Sequence, residues 1–258
     1  MASRGSLALA SLRARRSFVL LWSALFVFSL LLQYATFAAP QRALAVHDEG
    51  LFELDGNAVA GSDPGHDWSQ VYGGSSSALV TQFITDPTDS NTDDTFTGGS
   101  TKDDLPLSGW LWKTAKATPI KNDIAHAFAA LYTNDAGDKI AYFGLDKIEA
   151  DGNNFAGFWF FQGPVGRSGA GTGSGSPFTG SHVVGDILVL ANYTNGGRVA
   201  DFDIYKWVGT GGDVNGTLQT VATGVECGTT SGDDACGITN GADAVAPWPF
   251  EGRDRPAG

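Results

Sequence analysis

The 258-residue chain is poor in the residues that usually carry catalysis. It has two cysteines and four histidines, His47, His66, His126 and His182, with no HxH or HExxH spacing, which removes the familiar zinc patterns. No CxxC occurs for thiol redox chemistry, and no GxSxG elbow occurs for a serine nucleophile, even in the Gly/Ser-rich stretch 166–176. Glutamate is scarce: Glu49, Glu53, Glu149, Glu226 and Glu251 are all there are. Sandwich glycosidases need two paired carboxylates. An ExDxxE pattern begins at Glu53-Leu54-Asp55 but meets Ala58, and Glu149-Ala150-Asp151 meets Asn154. Positive charge is short as well, with 16 Lys and Arg against 28 Asp and Glu. Such an acidic surface repels phosphate backbones and excludes nucleic-acid binding. Glycine shows no period of three, which excludes collagen, and 42% hydrophobic residues is too many for a disordered chain.

Met1 to Ala45 has no acid at all, yet it carries five Arg, four of them before an apolar run from Phe18 to Leu32 broken only by Ser. Ala43-Leu44-Ala45 follows. This charged, apolar, small-residue order is that of an export signal peptide with Val46 as the mature start. The alternative is a retained anchor, since the 22 residues Phe18 to Ala39 can span a bilayer core. Arg15-Arg16-Ser17-Phe18 also fits a twin-arginine signal, so the export route stays open. Residues 46–258 then hold 11 basic and 28 acidic groups, a net −17. Cys227 and Cys236, with eight residues between them, read as one short-loop disulfide of an exported chain.

Beyond Leu51 the chain alternates short apolar runs with Gly, Asn, Asp, Pro and Ser. Strands are expected at 51–55, 68–72, 79–84, 139–145, 155–162, 186–193, 199–208 and 218–223. Residues 123–132 fit helix or strand, and the turn chemistry after them favours a hairpin with 139–145. FAGFWFFQ (155–162) and DILVLANY (186–193) are apolar on both faces and read as central strands. Residues 166–176 read as a flexible surface loop. The expectation is an all-β, antiparallel β-sandwich, jelly-roll or concanavalin-like, over residues 46–245, with a polar tail at 246–258.

Several segments in order carry a resemblance: Phe52-Glu53-Leu54-Asp55-Gly56-Asn57, Thr97 to Asp104, Tyr142-Phe143-Gly144-Leu145-Asp146, Gly157 to Gln162, Gly185 to Leu190, and Ala246-Pro247-Trp248-Pro249. With the cysteine pair they resemble the N-terminal domain of large secreted bacterial surface proteins, where it often precedes immunoglobulin-like or transthyretin-like stalk modules. The resemblance covers most of residues 48–250 and brings no assigned activity. Family members continue past the Pro-Trp-Pro segment with another strand, whereas this chain ends at Gly258, so a truncated reading frame is expected. The GFWFFQ strand is also similar to the core strand of concanavalin-like lectin sandwiches.

Two surfaces carry candidate chemistry. Alternation along VADFDIYKWV puts Asp201, Asp203, Tyr205 and Trp207 on one face, a strip suited to stacking on a sugar and accepting from its hydroxyls. The competing reading has Tyr205 and Trp207 covered by a loop. Trp110 and Trp112 pose the same choice. Asp89, Asn91 and Asp93 place oxygen ligands at alternate positions, as calcium loops do, although Asp94 stands where such loops have glycine. Asp146 and the turn Asp151-Gly152-Asn153-Asn154 form a second cluster, and both also suit plain turns. The functional expectation is a secreted or cell-surface, non-catalytic module, carbohydrate-binding or adhesive, extracellular, with calcium as the one candidate cofactor. Its partners would be an extracellular glycan or surface protein, with membrane contact only through an uncleaved signal. The alternatives are a secreted carbohydrate-active enzyme using Glu53 and Asp55, and a structural cap of a surface stalk.

Overall fold

The hairpin of β4 (Ile124–Thr133) and β5 (Lys139–Lys147) forms because every second residue of β4 from His126 to Tyr132 faces inward, and because Asn134–Asp138 closes the turn. Gly137 takes φ +91° there, a conformation that favours glycine. In this computed structural model the described residues are 50–61, 65–88, 92–97, 106–115, 118–149, 152–194, 199–210, 215–224, 226–227, 235–240 and 245–250. They belong to one unit, residues 43–258. The leader-like segment and its cleavage position lie outside them, as do Asp89 and Asn91.

The fold is an all-β antiparallel sandwich of three sheets. The first has the order β1-β4-β5, with β1 at Val80–Thr85. The second has the order β11-β10-β9-β6, built from β6 (Asn154–Phe160), β9 (Ile187–Thr194), β10 (Val199–Gly209) and β11 (Gly216–Ala222). The third has the order β2-β3-β8-β7, built from β2 (Asp94–Thr97), β3 (Leu111–Thr114), β7 (Gly166–Arg167) and β8 (Ser176–Thr179). Among the described residues no helix is long and apolar enough to cross a membrane.

Two aromatic cores flank the second sheet and the first. Phe52, Trp68, Phe128, Tyr132, Tyr142 and Trp248 fill one side of β1-β4-β5. Phe143, on the other face of β5, packs on Phe158 and Phe160 of β6 at ring distances of 4.9 and 4.7 Å. The opposite face of the second sheet offers Trp159, Leu188 and Trp207, against which Trp110, Phe161 and His182 pack.

Five expectations need correction. Residues 68–72 are a short helix, α1 (Trp68–Tyr72), because Asp67 and Gln70 form a reciprocal capping box at its start. Residues 51–55 make only an isolated bridge, Phe52 to His66. β6 is an edge strand: being apolar on both faces reports cover above and below, not a neighbour on each side. The segment expected to open a polar tail instead places Trp248 in the first core, its Nε1–H donating to Asp146 Oδ2 at 2.8 Å. Residues 166–176 are the β7–β8 hairpin, held by the Gly171 N–H donating to Ser176 Oγ and by Gly171 lying against Trp112.

Candidate functional site

The face of the second sheet that carries the proposed sugar strip is set by strand register. Phe155, Asn192 and Asp201 are direct cross-strand partners; the next rank on that face is Gly157, Leu190 and Asp203, then Trp159, Leu188 and Tyr205. Asp201, Asp203, Tyr205 and Trp207 therefore share a face, as alternation requires. Their exposure runs in a gradient along it. Phe155 is 63% exposed at one end, whereas Trp207 at the other is 1% exposed beneath His182, whose ring stacks on it at 4.1 Å. Trp207 is thus a core residue and leaves the strip, because the segment 180–186 folds over it. Asp203 accepts a hydrogen bond from the Tyr205 hydroxyl at 3.4 Å. Trp110 and Trp112 do not share an open face. Trp110 is buried among Phe178, Trp159 and His182. Trp112 donates to the Ser168 carbonyl and lies under the Arg167 guanidinium.

Two imidazole–carboxylate pairs have the chemistry of an acid–base dyad, but the side chains of both pairs are buried. His126 Nδ1 lies 3.0 and 2.9 Å from the two Asp146 oxygens, with Trp248 on the same carboxylate. Burial raises the Asp146 pKa against these partners. Asp146 therefore belongs to the first core; Asp151, expected beside it, lies outside the described residues. His182 Nδ1 lies 3.1 Å from Asp186 Oδ2, and both side chains are 0% exposed. Asp186 also accepts from the Gln162 and Val183 amides, which fixes the covering segment. Glu53 is likewise buried and accepts from the Gly61 amide at 2.8 Å, while Asp55 closes a local turn with Asn57. Both brace a loop.

A third constellation gathers from elements far apart in sequence. Asp86 follows β1, with its N–H on the Ala125 carbonyl of β4. Asp123 precedes β4, its N–H on Ile120 and its carbonyl accepting from Ile148 just past β5. β1 and β4 are antiparallel, so the end of one meets the start of the other. Asp93 directly precedes β2 and accepts from the Thr118 hydroxyl at 2.7 Å. One carboxylate oxygen from each of the three lies within 4.8 Å of the others. Asp93 and Asp123 are buried and Asp86 is half-buried. Burial, then the charges of Asp93 and Asp94, push the Asp86 carboxyl up to about 6 against the pull of Arg167. Asp123 is pushed up to about 6 by burial and then by Asp93 and Asp86. Beside them Asp94 is held low by the Thr114 hydroxyl and by its ion pair with Arg167.

Of the residues expected to ligate a metal, only Asp93 stands in this cluster; Asp89 and Asn91 lie outside the described residues. Asp86 and Asp123 carried no local pattern, and only strand pairing brings them together. Cys227 and Cys236 are disulfide-bonded, with Cα atoms 4.9 Å apart. Comparison with protein-family models, curated proteins and solved structures finds no match to this chain.

Proposed function

We propose that the chain is an exported, non-catalytic surface module that binds glycan through the open end of its second sheet. The observation that carries this reading is the in-register row Phe155, Asn192 and Asp201, in which an exposed ring stands beside an amide and a carboxylate. A ring stacks on the apolar face of a sugar, while the amide and carboxylate bond its hydroxyls. Asp203, one rank further in, extends the acceptors, and Gly157 at the other end of that rank, next to Phe155 on β6, carries no side chain that would crowd a ligand ring. The disulfide and the leader-like first 45 residues support export. The sealing of both imidazole–carboxylate pairs and of Glu53 supports a binding role over turnover.

A glycan array probed with the purified chain tests this. Phe155→Ala is expected to abolish binding while leaving the unfolding temperature within about 1 °C, as for a surface change. Unchanged binding in that variant removes this face. Turnover of a polysaccharide panel that is lost in Glu53→Gln overturns the non-catalytic reading.

A further inference from the structure

We propose that Asp86, Asp93 and Asp123 bind one calcium ion, which ties the end of the β1-β4-β5 sheet to the entry of β2. The three carboxylates come from the ends of separate elements, which fixes their positions without a dedicated loop. Calcium takes oxygen ligands at about 2.3–2.6 Å, so oxygens on opposite sides of one ion stand about 5 Å apart. The observed limit of 4.8 Å lets all three carboxylates reach a single ion.

The second observation is the state of Asp123. The residue is 6% exposed, yet among the described residues no side chain or backbone group donates a hydrogen bond to its carboxylate. The charged groups facing it are other acids, Asp93 and Asp86, each with a carboxylate oxygen within 4.8 Å. A carboxylate of little exposure that no protein donor is seen to satisfy, faced by like charges, is costly unless a cation joins it. Arg167 does not fill that role, being paired with Asp94 and laid over Trp112.

The donor set selects the ion. It contains oxygen only, with no imidazole or thiolate, which points to a hard cation. Three carboxylates with a half-buried Asp86 leave further positions for water and carbonyl oxygens, which suits the six to eight ligands of calcium. Magnesium holds several waters and is usually bound through one or two carboxylates.

The test is calorimetric titration of the EDTA-stripped full chain with calcium, together with thermal unfolding in calcium, magnesium and EDTA. The expected result is one calcium per chain, and an unfolding temperature that rises in calcium, returns in EDTA and responds little to magnesium. Asp123→Asn is expected to weaken calcium binding by more than about tenfold. In EDTA the same variant should unfold at a higher temperature than the parent, because a like charge has been removed. A merely structural acceptor would give the opposite sign. Asp86→Asn, on the more exposed side, serves if Asp123→Asn fails to fold, and should lose the calcium response equally. Stability indifferent to calcium and EDTA, or parental calcium affinity in the variants, overturns the proposal. Magnesium binding as tightly as calcium overturns the choice of ion.

Discussion

A single face of β10 carries both an open residue, Asp201, and a sealed one, Trp207, and single substitutions should expose the difference. Trp207→Ala empties a site stacked on His182 and backed by Gly216, where even a Cβ would collide with the indole. It should cost on the order of 3–5 kcal/mol in urea unfolding, whereas Phe155→Ala on the same face should stay within about 0.5 kcal/mol. Equal costs would mean that the exposure gradient is not real. Alternation put these side chains on the correct face from sequence alone, because period two is local. Which end is covered was not legible, since it depends on a segment around His182 some twenty residues away. The same limit hid the aspartate cluster. Asp93 stands in an acidic run and could be singled out, but Asp86 and Asp123 meet only through the β1–β4 pairing.

Among the elements, α1 shows how a local signal can be overlooked when pattern is read first. WSQVY alternates well enough for a strand, yet Asp67-Trp68-Ser69-Gln70 is a capping box, and that motif was present in the sequence. The cap carries a consequence for pH. Burial, then the Asp55 and Glu53 charges, push the Asp67 carboxyl up to about 7 even though it accepts from the Trp68 amide, and its Oδ2 has no partner among the described residues. A folded-state pKa raised from 3.8 favours the protonated folded form. Its stabilisation is complete below about pH 4 and is lost as pH rises through about 7. The span corresponds to roughly 4 kcal/mol. Asp67→Asn keeps the accepting oxygen and removes the charge. Its stability in EDTA should therefore be flatter than the parent's between pH 4 and 8, and higher than the parent's at pH 8. Parallel profiles would show that Asp67 is not the group responsible. The β6 correction belongs to this scale too: two apolar faces were legible, but lateral position in a sheet is a matter of pairing partners, which no single strand encodes.

Across the whole molecule, the all-β class was legible because turn residues recur every few positions, while the division into three sheets arises from long-range aromatic contacts. Phe143 joins the first sheet to the second through Phe158 and Phe160, so the two cores share a covered strand pair instead of standing apart. Trp248 closes the first core from 102 residues beyond Asp146 in sequence, packing on Phe83 and Phe128 as well. Trp248→Phe keeps most of the ring packing but withdraws the N–H from a buried carboxylate that His126 still contacts, and should cost about 1–2 kcal/mol. Trp248→Ala loses both and should cost on the order of 3–5 kcal/mol. If the cores are coupled through Phe143, changes in either core move one common urea transition, with the midpoint falling and the slope unchanged. Trp207→Phe combined with Trp248→Phe should then add to within about 0.5 kcal/mol, because the sites lie in different cores and share no partner. A second transition appearing in Trp248→Ala, with the Trp207 core still intact, would mean that the sheets unfold as independent units and that the Phe143 contacts do not couple them.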